Sequence, residues 1–293
     1  MVDKNNTNNL ELHSSGEMRS PPQTLDRDDL FKISQLWVSQ GNKPLHRPLE
    51  VLFHFFDGLC SLTDAHTAFS VISIKDNQNP TLQPKDDPLG GWRAKELIIF
   101  RGSAEERMIG MDYMNSHDYL HDEATIANMK HAGKHRVHLI REFLELREGM
   151  TRDDLHAQKL LDALGLGDRL VGAHALCPNA EFFIGLDRLQ GYPLFDVRER
   201  DILFEVIRGM RPLVTRLFMS FGRLTGQTSL TPREQEALHF LLDGLSEKEV
   251  GEEMGITPAS AHQYAVSIYR KLGVNSRAQL LNLWLNPPTE FGV

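Results

Sequence analysis

Residues 230–285 read LTPREQEALHFLLDGLSEKEVGEEMGITPASAHQYAVSIYRKLGVNSRAQLLNLWL, and this stretch carries a helix start signal four times over. In Thr231-Pro232-Arg233-Glu234 the threonine caps, proline takes the first helical position and glutamate reaches back from the third. Leu238, Leu241, Leu242 and Leu245 form the inner side of that helix, and Asp243-Gly244 ends it. Ser246-Glu247-Lys248-Glu249 is a second capping box, followed by Val250 and Met254 on one face and Gly255 as the stop. Thr257-Pro258 opens a third helix, whose Ala261, Ala265, Ile268 and Leu272 recur at i, i+4, i+7 and i+11, so one side is buried and the other is free. After Gly273, Ser276-Arg277-Ala278-Gln279 starts a fourth helix bearing Leu280, Leu281, Leu283, Trp284 and Leu285.

Two short helices joined by a tight glycine-containing turn, the second exposing polar side chains, make a helix-turn-helix. The whole stretch closely resembles the LuxR-type, or GerE-type, DNA-binding domain of bacterial transcription regulators, through LTPRE, the Leu-Ser-Glu-Lys-Glu-Val start of the second helix, and Tyr269 to Val274 with Ser276-Arg277. That resemblance implies a third helix docked in the major groove, with His262, Gln263 and Val266 at base-reading positions and Lys248, Arg270, Lys271 and Arg277 meeting phosphates. Ala261 and His262 stand where the family often has valine and lysine, and Tyr264 replaces a common histidine, so the family's usual target sequence does not carry over. Residues 230–286 hold five basic and seven acidic side chains, yet every acid precedes Gly255, which leaves the groove-facing segment locally basic.

Outward from this domain, Asp196 caps a helix expected to close a preceding domain and to run to Phe221, with Glu199 three residues on. Its Leu203, Val206, Met210, Leu213, Leu217 and Phe221 are spaced like a short heptad seam, and Pro212 is placed to kink it. The seam serves equally as a dimer contact or as packing on the helix's own sheet. Residues 222–229 read as a flexible linker and residues 1–24, rich in Asn, Ser and Pro, as a disordered tail. Between these ends, 25–221 starts with helical periodicity, as in Leu49, Leu52, Phe53, Phe56 and Leu59, and continues into strands at Ala68–Ile74 and Glu96–Phe100 across a Pro- and Gly-containing loop long enough to cover a pocket. Residues 104–148 and 152–163 read as helical, the latter with Thr151 and Asp154 as a capping box, and two more strands fall near Leu170–Leu176 and Glu181–Leu186. The order is that of an α+β domain with an antiparallel sheet, and it resembles a PAS- or GAF-like sensor module followed by the all-α four-helix LuxR-type domain.

With 293 residues, 32 basic and 40 acidic, and a net charge of -8, the chain is sized for about two domains and is ill suited to bind nucleic acid over its whole surface. No stretch approaches the ~18 apolar residues of a membrane span or the pattern of an export signal, so a cytoplasmic protein is expected. Two cysteines, Cys60 and Cys177, make no zinc site of the CxxC type, and Cys60 sits among apolar neighbours as a core residue. His117 and His121, and likewise His131, His135 and His138, are spaced to share a helix face, but no cysteine joins them and a solvated face is the simpler reading, so neither metal nor cofactor is expected. No GxxxxGK[ST] occurs and Gly165-Leu166-Gly167 lacks a third glycine, which argues against a nucleotide-hydrolysing enzyme. Three classes remain. The first is a one-component regulator that binds double-stranded DNA and senses a small molecule or other signal; the second has an amino-terminal domain serving only protein contact or dimerisation; the third has a metal-binding or enzymatic domain fused to a DNA reader. A homodimer is expected through Leu281, Trp284 and Leu285 of the last helix or Leu203, Met210 and Leu217 of the seam, with RNA polymerase a further partner open to such a regulator.

Overall fold

The computed structural model describes residues 24–41, 43–75, 87–143, 156–224 and 228–288. Nearly all of the expected tail, and the capping box at Thr151 and Asp154, lie outside these residues.

Strands β1 (Thr67–Lys75), β2 (Trp92–Arg101), β3 (Arg136–Leu139), β4 (Leu166–Cys177) and β5 (Ala180–Leu189) form one antiparallel sheet in the order β2-β1-β5-β4-β3. Successive side chains of a strand face opposite ways, and here each face has its own task. Ala68, Ser70 and Ile72 of β1 pair with Leu186, Ile184 and Phe182 of β5, and these residues are fully buried on one side. Against them pack α2 (Pro48–Thr63), α7 (Val197–Arg208) and α8 (Arg211–Ser220), with α1 (Arg27–Val38) outside α2 and α7. Phe56 stacks on Phe100 at 4.1 Å and tilts against Phe182, which joins α2 to the sheet. The opposite face, bearing Phe69, Val71, Arg169, Val171 and Phe183, looks onto α3 (Ala104–Asn115), α4 (Glu123–Met129) and α6 (His156–Ala163). Gly185 lies opposite Phe69, and a Cβ there would fall 2.2 Å from the Phe69 ring, so only glycine lets that ring lie flat across β5.

Three sequence expectations change. The segment 104–148 is not continuously helical: α3, a short turn at Asp118–Leu120 and α4 are followed by β3 and by α5 (Ile140–Phe143). β3 enters the sheet by pairing antiparallel with β4, Arg136 against Ala173 to Leu139 against Leu170, and Arg136 also makes a two-pronged contact with buried Glu181 of β5, both at 2.8 Å. His131, His135 and His138 therefore share no helix face, and His117 has a left-handed backbone beyond the end of α3. Among the described residues no group of three metal-ligating side chains occurs. The closing helix is two helices, α7 and α8, because Pro212 has no N–H to donate and its ring would strike the carbonyl of Arg208. Leu203, Met210 and Leu217 are fully buried within their own domain and are not a dimer seam; the same spacing lays a helix face on a sheet. The stretch read as a linker is anchored at both ends, for Leu224 and Leu230 are buried and Leu230 N donates to Phe221 O at 3.1 Å.

Cys60 is a buried free thiol whose pKa burial pushes up to about 11, as a core residue requires. His174 of β4 is also buried, with Nδ1 on Ile207 O at 2.8 Å and Nε2 without a partner among the described residues. Burial, then the neighbouring His135 and Arg211, push its pKa down to about 3. The folded chain thus refuses a proton that the unfolded chain accepts below its ordinary value near 6.5. Stability falls as pH falls from about 6.5 towards 3, by up to ~1.4 kcal/mol per pH unit for this group. His174→Gln, which cannot titrate, should flatten the pH dependence of urea unfolding across that window; an unchanged slope would contradict a neutral buried His174.

Candidate functional site

The helical domain consists of α9 (Pro232–Leu242), α10 (Glu247–Met254), α11 (Pro258–Leu272) and α12 (Arg277–Leu285). Its local order follows the start and stop signals. Thr231 and Ser246 cap α9 and α10 through reciprocal boxes with Glu234 and Glu249, Thr257 caps α11 by accepting from Ser260 N, and Gly255 and Gly273 end α10 and α11 in left-handed conformation at φ 65° and 69°. Ala261, Ala265, Ile268 and Leu272 face inward and are buried, which turns His262, Gln263 and Val266 outward; Val266 is 50% exposed. His262 Nδ1 lies 3.0 Å from a carboxylate oxygen of Glu247, the first residue of α10.

The expected phosphate contacts divide. Lys248 and Arg270 are exposed on the surface, Lys248 3.8 Å from Glu252. Lys271 is instead mostly buried: its Nζ donates to Glu234 at 2.7 Å and to Ser229 O at 2.9 Å. Burial raises the Glu234 carboxyl, but Lys271, Ser267 and Thr231 outweigh it and hold the pKa at about 2. Arg277 donates from both terminal nitrogens to the carbonyls of Leu245 and Leu241, which satisfies the end of α9. Lys271 and Arg277, expected at phosphates, are thus tied inside the domain. The sequence marked Glu234 as a capping residue, but its second partner lies on a different helix.

The expected dimer residues divide too. Leu281 and Leu285 are exposed on α12, the latter at 72%. Trp284 is buried at 4% exposure and its Nε1 donates to Leu45 O of the amino-terminal domain at 3.4 Å. Nearby, Asp243 meets His46 Nε2 at 2.6 Å and the Arg47 guanidinium, and Arg223 reaches Glu96 of β2 at 2.7 Å. These contacts join the two domains, and Trp284 is taken up by them.

A second candidate site lies on the other face of the sheet, beneath α3 and α4. Phe69, Val71, Arg169, Val171 and Phe183 floor a cavity of about 110 Å³ walled by Trp92, Tyr113, Tyr119 and Asp122. A neighbouring cavity of about 80 Å³ shares Phe69, Val71, Tyr113, Met114 and Arg169 with it and continues beneath Leu97, Ile99, Leu160 and Leu164. One end is therefore mixed polar and aromatic, and the other almost wholly apolar. Asp122 caps α4 through Ala124 N and Thr125 N and accepts from Tyr113 OH at 2.6 Å. Burial and then that carboxylate raise the Tyr113 pKa, so the phenol stays protonated. Arg169 is paired with Asp187 at 2.6 Å and lies over the Phe69 ring at 4.8 Å. None of these residues was singled out from the sequence. Trp92 after a Gly-Gly turn and Asp122 in a capping position were the available signals.

Residues 228–284 match the family described as bacterial regulatory proteins, luxR family. GfsR of Streptomyces halstedii, named as an HTH-type transcriptional regulator, is 39% identical over 74 residues, 23% of this chain and 30% of that protein. The transcriptional regulatory protein MctR of Rhizobium johnstonii is 38% identical over 61 residues, 21% of this chain and 28% of that protein. The chain thus spans under a third of the length of these relatives. Among solved structures, SdiA in complex with octanoyl-rac-glycerol aligns with a TM-score of 0.44 at 11% identity, over 88% of this chain and 94% of that one.

The internal placement of Lys271 has a measurable consequence. Lys271→Ala should leave Glu234 buried without its cation and lower stability to urea by about 1–3 kcal/mol. The salt dependence of binding to random DNA should not change, since no phosphate contact is lost. A salt slope reduced by about one, with stability unaltered, would return Lys271 to the DNA surface.

Proposed function

We propose that the chain is a one-component transcription regulator: α11 reads double-stranded DNA in the major groove, and the amino-terminal α+β domain binds a small molecule that modulates this. The observation that carries the DNA reading is the outward side of α11. His262, Gln263 and Val266 project from the amino-terminal half of a helix whose other side is fully packed, and residues 257–277 contain no acidic side chain. The match of residues 228–284 to the luxR family supports it.

The two adjoining cavities support the sensing half. Their combined lining suits an elongated molecule with a polar end near Trp92, Tyr119 and Asp122 and an apolar tail towards Leu97 and Leu164. In the PAS- or GAF-like manner expected of the sequence, the ligand rests on an antiparallel sheet. Two copies would meet through Leu281 and Leu285, because few phosphate-facing cations make a single domain a weak binder. A cytoplasmic location and contact with RNA polymerase fit this reading.

Mapping the DNA bound in cells and measuring variants on that operator tests the proposal. Gln263→Ala should cost about 1–3 kcal/mol on the operator and relax preference at one base pair, with little effect on random DNA. Arg270→Ala should weaken both and lower the salt slope by about one. Equal losses for Gln263→Ala on operator and random DNA, in a folded variant, would remove α11 as the reader. For the sensing half, mass spectrometry of small molecules released from the denatured protein should find an amphiphile.

A further inference from the structure

His262 and Glu247 come from different helices of the helix-turn-helix, the first from the opening turns of α11 and the second from the start of α10. His262 Nδ1 lies 3.1 Å and 3.0 Å from the two oxygens of the Glu247 carboxylate. Both side chains are largely exposed, so the pair contributes little to stability. What it fixes is the position of a proton. An ionised carboxylate only accepts, so the hydrogen in this contact belongs to Nδ1. A neutral imidazole has one N–H, and Nε2 is then a bare acceptor. Packing holds the two helices in this register, through Val250 and Met254 on α10 and Ala261 and Ala265 on α11. As the first residue of α10, Glu247 also sits where a helix favours negative charge.

The major groove offers amino donors on cytosine N4 and adenine N6, and acceptors on guanine O6 and N7, adenine N7 and thymine O4. A histidine presenting a bare Nε2 can bond only the donors. We propose that Glu247 sets the tautomer of His262 and so makes His262 a reader of the amino groups of cytosine or adenine. This rests on the reading of α11 as the groove-bound helix. Glu247 acts as a positioning residue that touches no base, and His262 makes the contact. The inference also gives one of the acids of α10 a role beside α11, which carries none: to orient a neighbouring ring.

The test uses the full chain and an operator selected from randomised duplexes. The base pair read by His262 is the one at which preference disappears in His262→Ala. At that pair, the amino group is removed by placing 2-pyrimidinone for cytosine or purine for adenine. Acceptors are removed separately with 7-deaza purines or, for guanine O6, with 2-aminopurine. The wild-type chain should lose roughly three- to tenfold in affinity when the amino group goes and be indifferent to the loss of acceptors. Glu247→Lys places an ammonium donor against Nδ1, moves the ring proton to Nε2, and should invert that pattern whatever it does to total affinity. Glu247→Gln, which can donate or accept, should shrink the discrimination. A purely structural role for Glu247 would shift affinity on every duplex alike and leave the pattern intact. A wild-type chain sensitive to acceptor removal alone, or a Glu247→Lys variant with the wild-type pattern, overturns the proposal. If neither His262→Ala nor Gln263→Ala alters preference at any pair, α11 is not the reader, and the underlying assignment fails along with this one.

Discussion

Pairing between β1 and β5 at the centre of the sheet is the constraint on which the amino-terminal domain depends. Ala68, Ser70 and Ile72 face Leu186, Ile184 and Phe182 across it, and a slip of one residue would turn this set from the helical core to the cavity side. The same register places Phe69, Val71, Arg169 and Phe183 on the opposite face. Because β1, β4 and β5 are central, both faces are covered, one by tightly packed α2, α7 and α8 and the other by a looser layer that leaves room inside. A single alternation thus supplies the core and the floor of the candidate ligand site together.

That sheet is also joined closely to the helical domain. Strand β2 lends Trp92 and Leu97 to the two cavities, while its Glu96 is paired with Arg223 at the start of the interdomain connection. The loop before α2 meets the other domain at Asp243 and Trp284. Leu224 and Leu230 carry the apolar core from one domain into the next. The two domains are therefore joined by packed side chains and ion pairs, so a change at β2 has a short physical route to the helix-turn-helix.

Within the helical domain, charge is distributed by task. Lys271 and Arg277 neutralise or satisfy groups inside the domain, and Lys248 and Arg270 remain at the surface. The identity of a cation says little about its role. Lys271 is held by Glu234, whose carboxylate already accepts from Thr231 and Ser267, so the lysine is one member of a satisfied network.

The sequence alone determined what short range determines. Helix caps such as Thr231 with Glu234 and Ser246 with Glu249, the glycine stops at 255 and 273, and the outward turn of His262, Gln263 and Val266 all follow from interactions within a few residues. The central strands were legible from their apolar runs, although their ends were not. Tertiary structure decided everything that depends on a partner far along the chain. β3 looked helical because His131, His135 and His138 mimic a helix period, and only pairing with β4, Arg136 against Ala173 to Leu139 against Leu170, makes it a strand. Leu203, Met210 and Leu217 looked like a seam because a helix packed on a sheet and one packed on another helix bury the same spacing. Trp284 went to Leu45, Lys271 to Glu234, and the cavity to residues from four strands and the helices between them. Local pattern fixes which way a side chain turns on its own helix or strand; what it meets there depends on how the whole chain closes.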